Sequence, residues 1–230
     1  MKKILLVILG TCFLCANMFA EFVISPTIGF SNFHSTDLLY DSAGRKNTVS
    51  WTPMNFGVSL GTVTESGFTF LFSADFFAAG TLKTVKEFSA SVEQKGSADF
   101  KGGPFINGTP LLGYTYRGID NLYLTFATGL NLGYGTLKVT KFTFAGITSP
   151  ALNIKLNLAN IGIPFYIGAQ YYFTEKIGVN LGIQDTVGIG WVWYNTRGLG
   201  SLPYFGTGSD ITQPAFTNVF SLKIGPVFRL

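Results

Sequence analysis

The residues of this chain that could do chemistry are few and widely spaced. Its one histidine, His34, has Ser31, Ser35 and Asp37 close by in sequence. A serine, a histidine and an acid can form a nucleophilic triad, but nothing in this spacing fixes the geometry that a triad requires. We therefore expect His34 to be a solvated group at the start of a loop, and we predict no enzyme, no metal site and no cofactor.

Two opposite charges, Asp75 and Lys223, have apolar or small residues as their immediate neighbours in sequence. A third charge, Asp185, interrupts a row of aliphatic residues between Ile183 and Val187. What these groups can do depends on the elements that position them.

The composition is hydrophobic and poor in charged residues. Hydrophobic residues make up 47% of the chain and charged residues 12%, against roughly 25% charged residues in a soluble domain. Something other than water must therefore cover much of the surface. The formal net charge is +4, or +2 once Lys2 and Lys3 are removed. That charge is too small and too scattered to indicate a nucleic-acid partner.

The N-terminus predicts a secretory signal peptide over residues 1–20. Lys2 and Lys3 precede an apolar run over 4–14, which is too short to span a bilayer, and Ala20 precedes the predicted cut. Both cysteines, Cys12 and Cys15, lie in this segment, so residues 21–230 hold no cysteine and no disulfide. We predict Sec-type export and one domain over 21–230.

Apolar residues alternate with small or polar residues in eight segments of that domain. They cover 22–31, 54–61, 68–77, 109–117, 122–134, 161–173, 177–189 and 216–230. Period two is the repeat of a β-strand, whose successive side chains point to opposite faces. The links alternate too: those at 64–67, 118–121 and 174–176 are short, whereas 32–50, 81–104, 136–160 and 193–213 are long. The pattern predicts an all-β, eight-stranded, antiparallel up-and-down barrel.

The apolar row is predicted to face lipid. An eight-stranded barrel has an interior only wide enough for side chains to fill, and the many Phe, Leu, Ile and Tyr side chains would not all fit there. The opposite row, rich in Gly, Ser, Thr and Asn, is small enough to fit. Aromatic side chains near the strand ends are predicted to form the interfacial belts of a transmembrane barrel: Trp51, Tyr134 and Trp191 on the loop side, and Tyr116 and Phe228 on the turn side.

Inward ionisable side chains are then few: Asp75, Arg117, Lys223 and Arg229. Asp75 and Lys223 lie at similar depth and could pair across the lumen, either as a structural ion pair or as a gate. Bulky inward side chains are predicted to narrow the lumen, as simple packing or as the lining for an apolar ligand: Phe77, Leu111 and Tyr166.

Two positions break the strict alternation. The parity of apolar residues changes near 159–160, which indicates a bulge or a strand extension. Strict parity points Asp185 at lipid, so we expect either a bulge at 184–185, which we favour, or a position close to the outer rim.

The last segment, 216–230, ends the chain on an amphipathic strand with Phe228 and Leu230 on its apolar face. With the other seven strands, it resembles the small eight-stranded bacterial outer-membrane barrels of the OmpA-barrel, OmpX and OmpW type. OmpW is the favoured analogue because of the length, the long loops and the bulky inward residues. The Phe-rich strands also resemble small outer-membrane proteins of spirochaetes.

This resemblance implies a place in the outer membrane, contact with its lipid, and recognition of the C-terminal strand by the barrel assembly machinery. The OmpW likeness implies a narrow, porin-like channel or binding site for small hydrophobic molecules. The alternative is a surface-exposed structural or adhesive barrel with a filled, non-conducting lumen. Its long loops, which carry most of the charge, could meet a host ligand or antibody at the cell surface.

Overall fold

The computed structural model describes residues 20–36, 48–77, 82–83, 85–88, 93–144, 147–149, 154–194 and 214–230. Residues 1–19 of the predicted signal peptide and Asp37 lie outside this part of the chain. Among the described residues, no helix is long and apolar enough to cross a membrane. Their strands, in chain order, are β1 Ala20–Thr36, β2 Thr48–Trp51, β3 Met54–Thr64, β4 Phe68–Phe77, β5 Leu82–Lys83, β6 Val85–Phe88, β7 Glu93–Ile119, β8 Leu122–Gly129, β9 Asn131–Phe144, β10 Ile147–Ser149, β11 Ile154–Tyr172, β12 Ile177–Tyr194 and β13 Ala215–Arg229.

The strands close into an antiparallel barrel with eight positions around its wall. We call the strand, or the pair of strands in line, at each of these positions a stave. β8 and β9 form one stave, interrupted at Leu130, because both pair with β7 on one side and β11 on the other. The circuit runs β1, β3, β4, β7, β8 with β9, β11, β12 and β13, and it closes where β13 pairs with β1. The predicted fold class is confirmed. Each stave neighbours the next one along the chain, as an up-and-down barrel requires.

Short links join the staves at one end of the barrel, which we call the turn side. Gly67 adopts φ +88° and Asn121 adopts φ 61°, and both residue types tolerate this left-handed conformation. The opposite end, the loop side, carries the short strands β2, β5, β6 and β10 beside the staves. The predicted asymmetry of links is therefore present.

The apolar row faces outward and the small, polar row faces the lumen, as the size argument predicts. On β13, Phe220 is 44% exposed, whereas Val219 and Ser221 on either side are buried. The same alternation runs along β4 and β12. Most bulky apolar side chains therefore form the outer wall of the barrel.

Several staves extend farther to the loop side than the apolar alternation indicates. β7 begins at Glu93 and β11 at Ile154, so parts of the predicted links 81–104 and 136–160 are strand. β11 pairs with β12 without a shift from Leu156 to Tyr172, so the predicted bulge at 159–160 is wrong and the strand extension is confirmed. Leu158 points inward and is 1% exposed. The parity changes because the lumen itself is apolar at this level.

The favoured bulge at 184–185 is also wrong. β12 pairs with β11 and with β13 in unbroken register through Asp185, whose cross-strand partners are Phe165 and Phe220. Asp185 therefore stays on the outward row, where the amide of Asn218 on the neighbouring strand donates a hydrogen bond to Asp185 Oδ1 at 2.7 Å. This hydrogen bond partly satisfies the carboxylate, so the strand does not need to turn it inward.

Candidate functional site in the barrel lumen

Asp75 and Lys223 meet in the middle of the lumen. Lys223 Nζ lies 2.5 Å from Asp75 Oδ2, and both residues are 3% exposed. Ser73 is a third member, because its hydroxyl lies 3.3 Å from Lys223 Nζ and 3.3 Å from Asp75 Oδ2. β4 and β13 are separated in the barrel by β1 and β3, so the ion pair links staves that share no backbone hydrogen bonds.

Small polar side chains fill the lumen around this pair. Asn55 Nδ2 donates to Ser31 Oγ at 2.8 Å, and Ser31 Oγ lies 2.7 Å from Ser221 Oγ. On another side, Asn131 Nδ2 donates to Thr109 Oγ1 at 2.8 Å. Burying a polar group without a partner costs free energy, so these contacts favour one arrangement of the facing staves.

Two of the three predicted constriction residues lie in one cluster. Leu111 and Tyr166 pack with Leu71, and Ala127 lies against them. Phe77 is not part of this cluster. Leu71 comes three residues after the start of β4 at Phe68, so the cluster extends towards the turn side. We call these four residues the lower apolar cluster.

Phe77 belongs to a second group on the loop side, which we call the aromatic layer: Trp51, Phe77 and Phe105. Their ring centroids lie 6.3 Å apart for Trp51 and Phe77, 6.0 Å for Trp51 and Phe105, and 5.3 Å for Phe77 and Phe105. All three are at most 3% exposed. A Cβ on Gly135 would lie 2.5 Å from Phe105 Cδ2, so glycine at that position makes room for the Phe105 ring.

The position of Trp51 corrects its assignment to the lipid interface. Its cross-strand partner on β1 is Phe33, which is itself on the inward row and 3% exposed. Directly paired residues share a face of the sheet, so Trp51 must point into the lumen with Phe33. The indole Nε1–H of Trp51 is buried and has no hydrogen-bond partner within the described part of the chain.

The other predicted interfacial aromatics lie on the outer wall. Tyr134 is 58% exposed, Tyr116 47% and Phe228 37%, and Trp191 is partly exposed. Tyr116 and Phe228 are near the turn side and Tyr134 and Trp191 nearer the loop side, as interfacial belts require.

The turn-side mouth of the lumen is closed by a third group. Val23, Val63, Tyr172 and Val227 form a buried cluster, with Tyr123 packed against it. Two guanidinium groups cover these rings. The Arg229 guanidinium lies 4.0 Å from the Tyr172 ring centroid and 4.7 Å from that of Tyr123, and the Arg117 guanidinium lies 4.9 Å from the Tyr123 centroid.

Glu21 is an ion-pair partner of both arginines: its Oε1 accepts a hydrogen bond from Arg117 Nη1 at 3.4 Å, and its Oε2 lies 3.3 Å from Arg229 Nε. The sequence placed Arg117 and Arg229 on the inward row but did not identify Glu21 as their partner. Glu21 stands before the first alternating residues, so the periodicity carried no signal for it.

His34 is not assembled with its neighbouring serines. Ser31 and Ser35 are buried on the inward row, whereas His34 lies between them on the outward row. An odd spacing along a strand puts two side chains on opposite faces, so neither serine can reach the imidazole across the barrel wall.

A closed barrel of eight antiparallel staves, with an apolar outer wall and a lumen of small and polar residues, is the architecture of a bacterial outer-membrane protein. Among solved structures, the chain is similar to the outer membrane protein OprG from Pseudomonas aeruginosa, with 17% identity, a TM-score of 0.57, and coverage of 92% of this chain and 96% of OprG. It is also similar to the outer membrane protease OmpT from Escherichia coli, with 9% identity, a TM-score of 0.52 and coverage of 92% and 96%.

The chain belongs to the family described as "Domain of unknown function (DUF2715)", whose model matches residues 18–230. No curated protein sequence is significantly similar to it. At these identities the structural likeness shows the fold, and the fold places the protein in the outer membrane.

Proposed function

We propose that this barrel binds small apolar molecules in the loop-side half of its lumen. The observation that supports this most directly is the aromatic layer, which puts three aromatic rings inside a barrel whose middle is polar. Contacts between such rings contribute only about 0.5 to 1.5 kcal/mol each beyond their burial, so an aromatic guest can replace them at small cost.

The buried indole of Trp51 indicates what such a guest would carry. Its Nε1–H is a hydrogen-bond donor with no acceptor within the described part of the chain. Buried tryptophan N–H groups usually have a partner, because leaving the donor unpaired costs about 1 to 3 kcal/mol. A small aromatic or alicyclic molecule with one acceptor oxygen, such as a ketone or a phenol, would pack against the rings and accept a hydrogen bond from the indole N–H.

Straight passage from the loop side to the turn side is not part of this proposal. Below the aromatic layer a guest would meet the Asp75–Lys223 pair, then the lower apolar cluster, and then the closed mouth formed around Tyr172. Displacing a buried ion pair exposes two charges to an apolar guest, which is strongly unfavourable. Binding in a pocket closed towards the turn side therefore fits the geometry better than an open pore.

Binding can be followed by the fluorescence of Trp51 alone. In a Trp191→Phe/Trp193→Phe background, N-phenyl-1-naphthylamine is expected to accept energy from Trp51 with a saturable titration curve. Phe105→Ala should weaken that binding about tenfold, the loss equivalent to one aromatic contact. The matched control is Tyr134→Ala, which removes an exposed ring from the outer wall. A signal that never saturates, or equal affinity with and without Phe105, would contradict the proposal.

A second function, a surface-exposed structural or adhesive barrel, is favoured by a different observation. The ion pair, the polar side chains around it and the two apolar clusters together fill much of the described lumen. In that case the aromatic layer is packing that holds the loop side rigid. Phe105→Ala would then lower the unfolding temperature without changing the behaviour of the probe.

A further inference from the structure

We propose that the outer wall of the barrel carries a recognition site for a lipid with a primary-amine headgroup, formed by Asp185, Asn218 and His34. These three polar residues lie on the outward row of three adjacent staves, β12, β13 and β1. The site is separate from the lumen and does not depend on the binding function proposed above.

Asp185 is unusual because its carboxylate lies on the outward, lipid-facing row. Its own strand continues with the exposed side chains of Ile183 and Val187, and its cross-strand partners are Phe165 and Phe220. The group that covers it in the membrane is therefore a lipid. Ionisable residues on a lipid-facing wall are costly and rare, and they mark functional sites by default.

The hydrogen bond between Asn218 and Asp185 leaves one oxygen acceptor on each of the two side chains. The amide of Asn218 donates to Asp185 Oδ1 at 2.7 Å, which orients Asn218 Oδ1 and Asp185 Oδ2 as acceptors. His34 is the direct cross-strand partner of Asn218 on the same face, so its ring lies beside that amide. All three side chains are partly exposed on the outer wall.

The height of the cluster matches a headgroup. Asp185 comes eight residues after Ile177, where β12 begins on the turn side. At about 3.3 Å per residue and a tilt of about 40°, Asp185 lies about 20 Å above that end. The apolar band of such a barrel is about 25 Å tall. Asn218 and His34 lie farther towards the loop side, so the cluster reaches the outer-leaflet boundary.

The chemistry of the cluster selects the headgroup. A primary ammonium carries three N–H donors and a positive charge. Asp185 Oδ2 and Asn218 Oδ1 provide two acceptors and one negative charge, and the imidazole of His34 has a ring nitrogen that can serve as a third acceptor. A quaternary ammonium has no N–H to donate, and a phosphate would be repelled by the carboxylate. Phosphatidylethanolamine therefore fits this site, whereas phosphatidylcholine does not.

Native mass spectrometry of the barrel from nanodiscs tests this directly. With equal amounts of phosphatidylethanolamine and phosphatidylcholine of matched acyl chains, the unaltered barrel is expected to retain the ethanolamine lipid about tenfold in excess, the difference that one charge-assisted hydrogen bond supplies. Asp185→Asn, which removes the charge but keeps the shape, should bring the ratio close to one.

Asp120→Asn is the matched control, because Asp120 is an exposed carboxylate in a turn on the opposite side of the membrane. It should keep the preference in full. His34→Ala gives an independent measurement if Asp185→Asn assembles poorly, and it should reduce the preference severalfold. The proposal is wrong if the unaltered barrel retains both lipids equally, or if neither Asp185→Asn nor His34→Ala changes the ratio.

Discussion

Replacing Asp75 with alanine is expected to lower the free energy of unfolding of the barrel by about 3 to 5 kcal/mol, the usual cost of leaving one partner of a buried ion pair uncompensated. Lys223, which is 3% exposed in the unaltered barrel, would keep the Ser73 hydroxyl as its hydrogen-bond partner within the described part of the chain. Urea unfolding in micelles, followed by the gel mobility of the folded and unfolded forms, measures the loss.

The double variant Asp75→Leu/Lys223→Met separates the ion pair from the packing around it. Because both charges are removed together, this variant is expected to be nearly as stable as the natural barrel, since apolar replacements of similar volume are often neutral. Asp120→Ala, in an exposed turn, is the control for losing a carboxylate outside the lumen. An unchanged unfolding midpoint for Asp75→Ala would refute the role of the pair.

Removal of residues 227–230 is expected to abolish formation of the closed barrel. These residues make the last pairs of the seam, Arg229 with Val23 and Phe228 with Ile24, and the amide of Leu230 donates to Phe22 O at 2.9 Å. They also supply Val227, which is 0% exposed in the turn-side mouth, and the Arg229 partner of Glu21. Without them one edge of the sheet is unpaired at the turn side, and an open edge is not tolerated in lipid.

The measurement for this truncation is the fraction of chain that reaches the heat-modifiable, protease-resistant form in the outer membrane. Leu230→Phe, which gives the last strand an aromatic C-terminal residue on the same outward row, should assemble as well as the natural chain or better. A truncated chain that still yields the heat-modifiable form would show that 227–230 are not needed for closure or for recognition.

Most of the fold could be predicted from the sequence because side chains that face lipid must be apolar. Apolar side chains recur at every second position wherever a stave crosses the membrane, so both the number of staves and the direction of each row could be predicted. Asp75 and Lys223 could be placed at one depth by counting residues from the short links. Their contact across the lumen follows from the closure of the barrel.

The side-chain directions that were predicted wrongly lie where the outward row no longer differs from the inward row in hydrophobicity. On the loop side the lumen is itself apolar, so Leu158 and Trp51 face inward although their hydrophobicity suggested an outward direction. The two rows are both apolar there, so hydrophobicity does not distinguish them. The inward direction of Trp51 follows instead from its cross-strand partner, Phe33. The Asp185–Asn218 hydrogen bond joins neighbouring staves, so local alternation suggested a bulge where none was needed.

Quenching by brominated lipid distinguishes the row of side chains that faces lipid from the row that faces the lumen. Two single-tryptophan proteins are needed, both in the Trp191→Phe/Trp193→Phe background: one that keeps Trp51, and one with Trp51→Phe and Phe126→Trp. Phe126 is 53% exposed on the outer wall and Trp51 is 2% exposed in the lumen. In bilayers of lipid brominated along the acyl chain, emission from residue 126 should be strongly quenched and emission from Trp51 should not change. Equal quenching of both, or stronger quenching of Trp51, would show that the two rows do not face lipid and lumen in this way.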